Sequence, residues 1–302
     1  MSECFSADAS PRAFPARFEN LPAPAKLNLF LHVVGRRTDG KHLLQSVFTL
    51  VDLCDFLSFE TAPDGILTRD GDLLCSPEDD LCVKAARALQ KAADVQFGAR
   101  ICVEKHIPAG AGLGGGSSDA ATTLIALNRL WKINFSRQKL MTIAECIGAD
   151  VPFFIWGQTG FVEGIGEKIS PFEVPAACYR IIWPGKLVST REIFNSPCLT
   201  RDNESRRMAV FSDFICRHWP ELPGRNDLQP VAESLEPAVG AALEQLSLAG
   251  ERPRMTGSGS AVFTVHRIDE PLQPLVGLSN DWQQFLARGL ARHPLADWTS
   301  CE

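Results

Sequence analysis

The residues of this chain best equipped to hold an anion lie in the run IPAGAGLGGGSSDAATTLIALN, residues 107–128. Glycines at 110, 112, 114, 115 and 116 follow an apolar run over 99–107 and precede Ser117, Ser118 and a helical pattern. Glycine accepts positive φ and lets a ligand approach the backbone. The first N–H groups of the next helix and its dipole favour negative charge, and N–H groups in successive turn residues form a phosphate-sized nest. Pro108, Ala109, Gly110, Ala111, Gly112, Leu113, Gly114, Gly115, Gly116, Ser117 and Ser118 are therefore the expected phosphate loop, with Ser117 or Ser118 as helix N-cap. A flexible surface loop is the competing use of such a run, but composition alone rarely leads straight into a capped amphipathic helix.

Which phosphate chemistry follows is narrowed by elimination. Gly110, Gly112 and Gly115 satisfy G-x-G-x-x-G, yet the acidic residue expected about 20 positions on, after a second strand, is replaced by Asn134-Phe135-Ser136 leading into another helix. No Walker A run and no HRD or DFG motif occurs. A second glycine-serine turn, containing Gly257 and Ser258, lies far along the chain. Lys26 and Asn28 share one face of an alternating run; alone, Lys26 reads as a solvated lysine at a strand end. Asp150 stands two residues before Pro152 at the start of an apolar segment, which alone suits a helix N-cap equally well. Two glycine loops with a lysine and an aspartate suit phosphoryl transfer, which needs N–H donors, a cation, usually Mg2+, and an acceptor for the hydroxyl proton.

The elements that must position these groups follow from periodicity. Leu27, Leu29 and Leu31 alternate as in a strand, GRRTDG (35–40) is a turn, and runs at 43–51 and 55–60 are expected as further strands of the same sheet. A helix is expected over 79–93, a strand over 99–107, and a helix with Ala120, Leu124, Leu127 and Trp131 on one face. Ser136 should cap a helix that Gly148 ends as a left-handed cap. A strand pair follows at 157–172, then a strand at 178–185, a short helix at 189–195 and a charged connection at 200–207. Helices within 209–219 and 230–248, a strand–turn–strand at 252–265 and a closing C-terminal helix complete an α+β second domain. The expected organisation is a mobile tail over 1–20, an N-terminal domain over 21–174 and a C-terminal domain over 175–302.

Composition sets the frame. With 302 residues, 45% hydrophobic and 22% charged, the chain has room for two ordinary domains. A net charge of -6 without a Lys/Arg-rich block lacks the footprint of a nucleic-acid binder. No apolar run reaches the roughly 18 residues of a membrane span, and the N-terminus has no signal-peptide pattern, so a cytoplasmic protein is expected. The 10 cysteines include no CxxC pair, and most fall singly in apolar runs, at Cys54, Cys102, Cys146, Cys178 and Cys216; they read as small buried hydrophobes.

Five segments taken together, PAKLNLFLHVVGRRTDGKH, IPAGAGLGGGSSDAATTLIALN, GADVPFF, GIGEK and MTGSGSAVF, resemble the GHMP kinase superfamily in the same order. Within it they are most similar to the branch acting on a cytidine diphosphate-linked methylerythritol. The resemblance implies an N-terminal domain like domain 2 of ribosomal protein S5, a ferredoxin-like C-terminal domain and an active site between them. It implies ATP with Mg2+, a small-molecule alcohol as acceptor, Asp150 as the base or at least the group that orients the acceptor hydroxyl, and Lys26 setting its charge state and stabilising the transition state. Asn28, His42, Thr190, Phe194, Gly257 and Ser258 would face the substrate, His42 reading the cytosine edge and Phe194 covering one of its faces. The family's usual tyrosine before that histidine is Lys41 here, so one half of an aromatic sandwich is missing. Either the lysine stem and charge substitute, or base affinity is weaker. Ser117 and Asp119 are open as Mg2+ contacts, Asp119 equally as a first-turn helix acid. A mevalonate- or homoserine-type kinase and a catalytically silent nucleotide-sensing relative are the alternatives.

Overall fold

The computed structural model describes residues 17–72, 76 and 78–299. Its framework is an antiparallel hairpin of two long strands, β1 (Arg17–Arg36) and β2 (His42–Ala62). The turn between them closes with Arg37 N–H donating to Lys41 O at 2.8 Å. Pro22 and Pro24 are tolerated because β1 pairs with β2 alone, and a register shift falls at Pro24/Ala25. The two strands expected at 43–51 and 55–60 are one strand. β2 stays continuous because its second edge is shared by three partners: β5 (Gly160–Gly164) along Leu44–Phe48, β10 (Gln283–Leu290) at Leu50 and Val51, and β4 (Gly98–Glu104) along Phe56–Ala62. Four residues of the expected tail, Arg17 to Asn20, belong to β1; residues 1–16 lie outside the described residues. Strand β3 (Leu67–Gly71), parallel to β4, had no sequence signal of its own.

Four helices cover one face of this sheet: α1 (Leu81–Ala93), α2 (Gly115–Leu130), α3 (Arg137–Ala144) and α4 (Val151–Trp156). Asp80 caps α1 and Ser136 caps α3, each through its side chain. α2 is buried almost all round, with Ala120, Leu124, Leu127 and Leu130 fully inside, as befits a helix enclosed by sheet and neighbouring helices. Its N-cap is Gly114 in left-handed backbone, so neither Ser117 nor Ser118 is the cap. The glycine starts the helix three or four residues earlier than expected because it alone accepts φ of 75° there. α3 ends at Ala144 with Glu145 right-handed, so Gly148 is not its left-handed cap.

In the C-terminal half, β7 (Ala177–Trp183) sits between β9 (Val262–Arg267) and β10, with β8 (Arg254–Met255) beside β9 and β6 (Lys168–Pro171) beside β5. Helices α5 (Thr190–Asn195), α6 (Met208–His218), α7 (Gln229–Leu235) and α8 (Pro237–Leu248) accompany them, Pro237 splitting the single helical stretch expected there. The expected C-terminal helix is instead β10, since pairing with β7 from Gln283↔Trp183 to Arg288↔Cys178 overrides local helix propensity. β10 then reaches β2, and Leu295 enters the N-terminal core. The whole is the α+β arrangement expected. Cysteine burial differs from expectation: Cys82 is buried, Cys54 and Cys178 are half-buried, and Cys102, Cys146, Cys198 and Cys216 are exposed. Cys102 shows why, because it alternates with buried Ile101 and Val103 along β4. Among the described residues no helix is long and apolar enough to cross a membrane.

Candidate active site

A cavity of about 860 Å3 opens where the hairpin, the glycine loop and the C-terminal half meet. It is lined by Lys26, Asn28, Lys41, His42, Asp150, Thr190, Phe194, Gly257 and Ser258, and by every residue of the expected phosphate loop except Leu113 and Ser118. Leu113 points into the core while its carbonyl accepts from Lys26 N–H at 2.9 Å, and Ser118 is fully buried. Residues separated by more than two hundred positions thus share one space.

Lys26 comes from the middle of β1 and is 3% exposed, so it is no solvated strand-end lysine. Its Nζ lies 2.5 Å from Asn28 Oδ1, 3.7 Å from Asp150 Oδ2 and 4.9 Å from the Phe48 ring centre. Burial pulls the Lys26 ammonium below the ordinary lysine value, and the Asp150 carboxylate opposes that shift. Asp150 occupies the cap position of α4 but makes no capping hydrogen bond; its carboxylate is one third exposed and faces Lys26. The carboxylate thus pairs with Lys26 instead of capping the helix.

The two glycine loops touch each other over Lys26. Gly112 has φ of 77°, and a Cβ there would fall 2.3 Å from Thr256 O. A Cβ on Gly257 would meet Gly112 O at 2.9 Å and Lys26 Nζ at 3.2 Å. Glycine is required for this backbone-to-backbone approach. The buried Thr256 hydroxyl accepts from Asn28 N–H at 3.0 Å, and Ala261 N–H donates to Ala111 O at 3.0 Å. Asn226, unnoticed in the sequence, donates to both Met255 O and Gly257 O at 2.8 Å and fixes the second turn from below. Thr190 and Ser258 hydroxyls are 2.7 Å apart, tying α5 to that turn.

Beneath the first loop lies a buried ionic cluster that spacing did not reveal. Lys105 Nζ is 2.5 Å from Asp55 Oδ2 and 2.6 Å from Asp119 Oδ2. Asp55 Oδ1 accepts from the N–H groups of His106 and Ile107 and so anchors the loop's entry. Burial raises the Asp119 carboxyl to about 7; Lys105 opposes the rise and Asp55 adds to it. Asp119 Oδ1 is buried and has no hydrogen-bond partner among the described residues, on a residue that lines the cavity.

At the far end of the cavity His42 and Phe194 rings stack 4.8 Å apart with 26° between planes. Arg201, from the charged connection, donates from Nε to His42 Nε2 at 3.1 Å. Burial first, then Arg201 and Arg36, lower the His42 pKa. Lys41 is exposed at the rim.

The fold and this site define a small-molecule kinase, and comparison with known proteins agrees. Residues 80–158 match the model of the GHMP kinases N-terminal domain. A 4-diphosphocytidyl-2-C-methyl-D-erythritol kinase of Acidovorax sp. (strain JS42) is 51% identical over 92% of this chain and 97% of its own length. The protein of that name from Paracidovorax citrulli (strain AAC00-1) is 50% identical over 94% and 98%. A crystal structure of 4-(cytidine 5'-diphospho)-2C-methyl-D-erythritol kinase superposes with a TM-score of 0.71 at 29% identity, covering 90% of this chain and 99% of that one. The chain belongs to the 4-diphosphocytidyl-2-C-methyl-D-erythritol kinase family of GHMP kinases. It is accordingly a phosphotransferase that uses ATP.

Proposed function

We propose that this enzyme transfers the γ-phosphoryl group of ATP to the 2-hydroxyl of 4-diphosphocytidyl-2-C-methyl-D-erythritol, a step in non-mevalonate isoprenoid precursor synthesis. The observation that carries this reading is the Lys26–Asp150 pair, held where two glycine loops meet, in a cavity that continues to His42 and Phe194. The loop from Pro108 to Ser117 wraps the ATP phosphates with backbone N–H groups and the N-terminus of α2. Asp150 accepts the proton of the acceptor hydroxyl as its oxygen attacks the γ-phosphorus and ADP departs. The buried Lys26 ammonium stabilises the charge that develops, and Asn28 holds that ammonium in place. At the other end His42 and Phe194 take the cytosine, with Thr190, Gly257 and Ser258 between the two ends. The division at 174/175 belongs to the same reading, with the cavity at the junction of the two domains.

Mg2+ fits the residues present. It binds through one or two carboxylates plus substrate phosphates, and Asp119 Oδ1, which has no partner among the described residues, would supply one carboxylate in a cavity that Ser117 also lines. Bound there, the ion would neutralise phosphate charge during transfer.

Asp150→Asn is the direct test. We expect kcat to fall by about 10^3-fold, within the usual range for loss of a general base, while ATP still binds with near-native Kd by calorimetry. Turnover within a few fold of wild type would remove Asp150 from the mechanism. ADP release assayed with mevalonate, homoserine and the cytidyl substrate in parallel should respond to the last alone; a preference for another alcohol would overturn the substrate assignment.

A further inference from the structure

The charged connection between α5 and α6 delivers a side chain to the base end of the cavity that the catalytic reading leaves unused. Arg201 donates from one terminal nitrogen to Leu199 O at 3.0 Å and from the other to Phe194 O at 3.0 Å and Ser196 O at 2.6 Å. These three carbonyls fix the guanidinium against the end of α5. Its remaining Nε–H lies 3.1 Å from His42 Nε2. A guanidinium only donates, so Nε2 must present its lone pair, and the ring proton of a neutral imidazole then sits on Nδ1. Among the described residues Nδ1 has no hydrogen-bond partner, and the ring lines the cavity with Phe194 stacked on it. The charged groups that act on this ring are Arg201 from the connection and Arg36 from the end of β1, with Lys41 next to it in the chain. All are cations, so they too favour the neutral ring.

We infer that Arg201 is a specificity-determining positioning residue, which locks His42 as the Nδ1–H tautomer and so presents a single donor to the nucleobase. Resting on the cytidine reading above, the device selects a base whose edge offers a ring-nitrogen acceptor. Cytosine N3 accepts; uracil carries a proton at N3 and is refused. Neither the catalytic pair nor the phosphate loop touches Arg201, so the effect belongs to substrate recognition alone.

The test compares wild type with Arg201→Met, which keeps the stem and removes the donors, and with Arg201→Lys, which keeps a donor. Imidazole 15N shifts of the ligand-free protein should report His42 protonated on Nδ1 in wild type and a mixed tautomer in Arg201→Met. At pH 8 the KM of Arg201→Met for the cytidyl substrate should rise about tenfold, the usual scale for one lost hydrogen bond. The loss should recover only as pH falls below the ordinary histidine value of about 6.5, because burial and Arg36 still disfavour the imidazolium, which once formed again carries a proton on Nδ1. Wild type should be flat across that range, Arg201→Lys intermediate, and KM for ATP and kcat within about twofold throughout. The preference for CDP over UDP in competition binding should shrink in Arg201→Met. A wild-type ring protonated on Nε2, or a KM rise in Arg201→Met that does not vary with pH, overturns the inference. Equal binding of CDP and UDP by wild type overturns the cytidine reading instead, and the ligand-free tautomer measurement tells that failure from a failure of Arg201.

Discussion

The two ends of the cavity, proposed above as the reaction end and the base end, are built from different materials. At the reaction end, backbone packs on backbone: Gly112 against Thr256 and Gly257, with Lys26 clamped between buried Asn28 and Phe48. At the base end, side chains meet from three surface segments, the 37–41 hairpin turn with His42, α5 with Phe194, and the connection with Arg201. Positioning at the first end is set by the core and cannot drift without opening it. At the second it depends on a few hydrogen bonds and one ring stack, which single substitutions can retune. On the proposed reading, chemistry is thereby kept rigid while recognition stays adjustable.

Gly112→Ala should produce the largest effect, because it forces a Cβ to 2.3 Å from Thr256 O at a φ that non-glycine residues avoid. Strain of about 3 kcal/mol, shared between the fold and the loop, predicts roughly a hundredfold loss of kcat/KM for ATP together with a lower Tm. Wild-type kinetics in this variant would break the comparison, since the loop contact would then be soft. Thr256→Val is milder and isosteric. It strips the acceptor from the buried Asn28 N–H at a cost of about 1–3 kcal/mol. We expect kcat to fall about tenfold with little change in KM for the cytidyl substrate. A change confined to KM would mean that Thr256 serves recognition rather than the Lys26 end.

The same contrast explains what could be read from the sequence. Glycines at 110–116 and 257–259 announce themselves because positive φ and close backbone approach admit few other residues. The alternation that placed Lys26 and Asn28 on one face is likewise a local signal. Arg201, Asn226 and the Asp55–Lys105–Asp119 cluster act through partners tens to more than a hundred residues away, and nothing in their own neighbourhood marks them. The fold's misreadings have a similar origin. β2 is one strand because three other strands hold it straight, and β10 is a strand because β7 waits beside it. Lys26 and Asp150 each had an ordinary structural explanation until the tertiary structure set their charges 3.7 Å apart.

The smallest expected effect, and the one that most directly probes the adjustable end, is Lys41→Tyr. Residue 41 sits at the close of the hairpin turn, its N–H on Asp39 Oδ1 at 3.1 Å and its side chain exposed at the cavity rim. Nothing in the core constrains it, so the substitution tests recognition with the fold untouched. An aromatic ring there would restore the face opposite Phe194. Stacking of about 1–3 kcal/mol per base, partly offset by loss of a cation near the diphosphate, predicts a Kd for the cytidyl substrate about five- to tenfold tighter, with kcat unchanged. Salt dependence separates the two contributions, because the wild-type lysine's attraction to phosphate is screened by added salt and ring stacking is not. A Kd that stays the same or weakens, with a shallower salt dependence than wild type, would show Lys41 contacting the diphosphate. The base end would then be held by charge where an aromatic sandwich was expected.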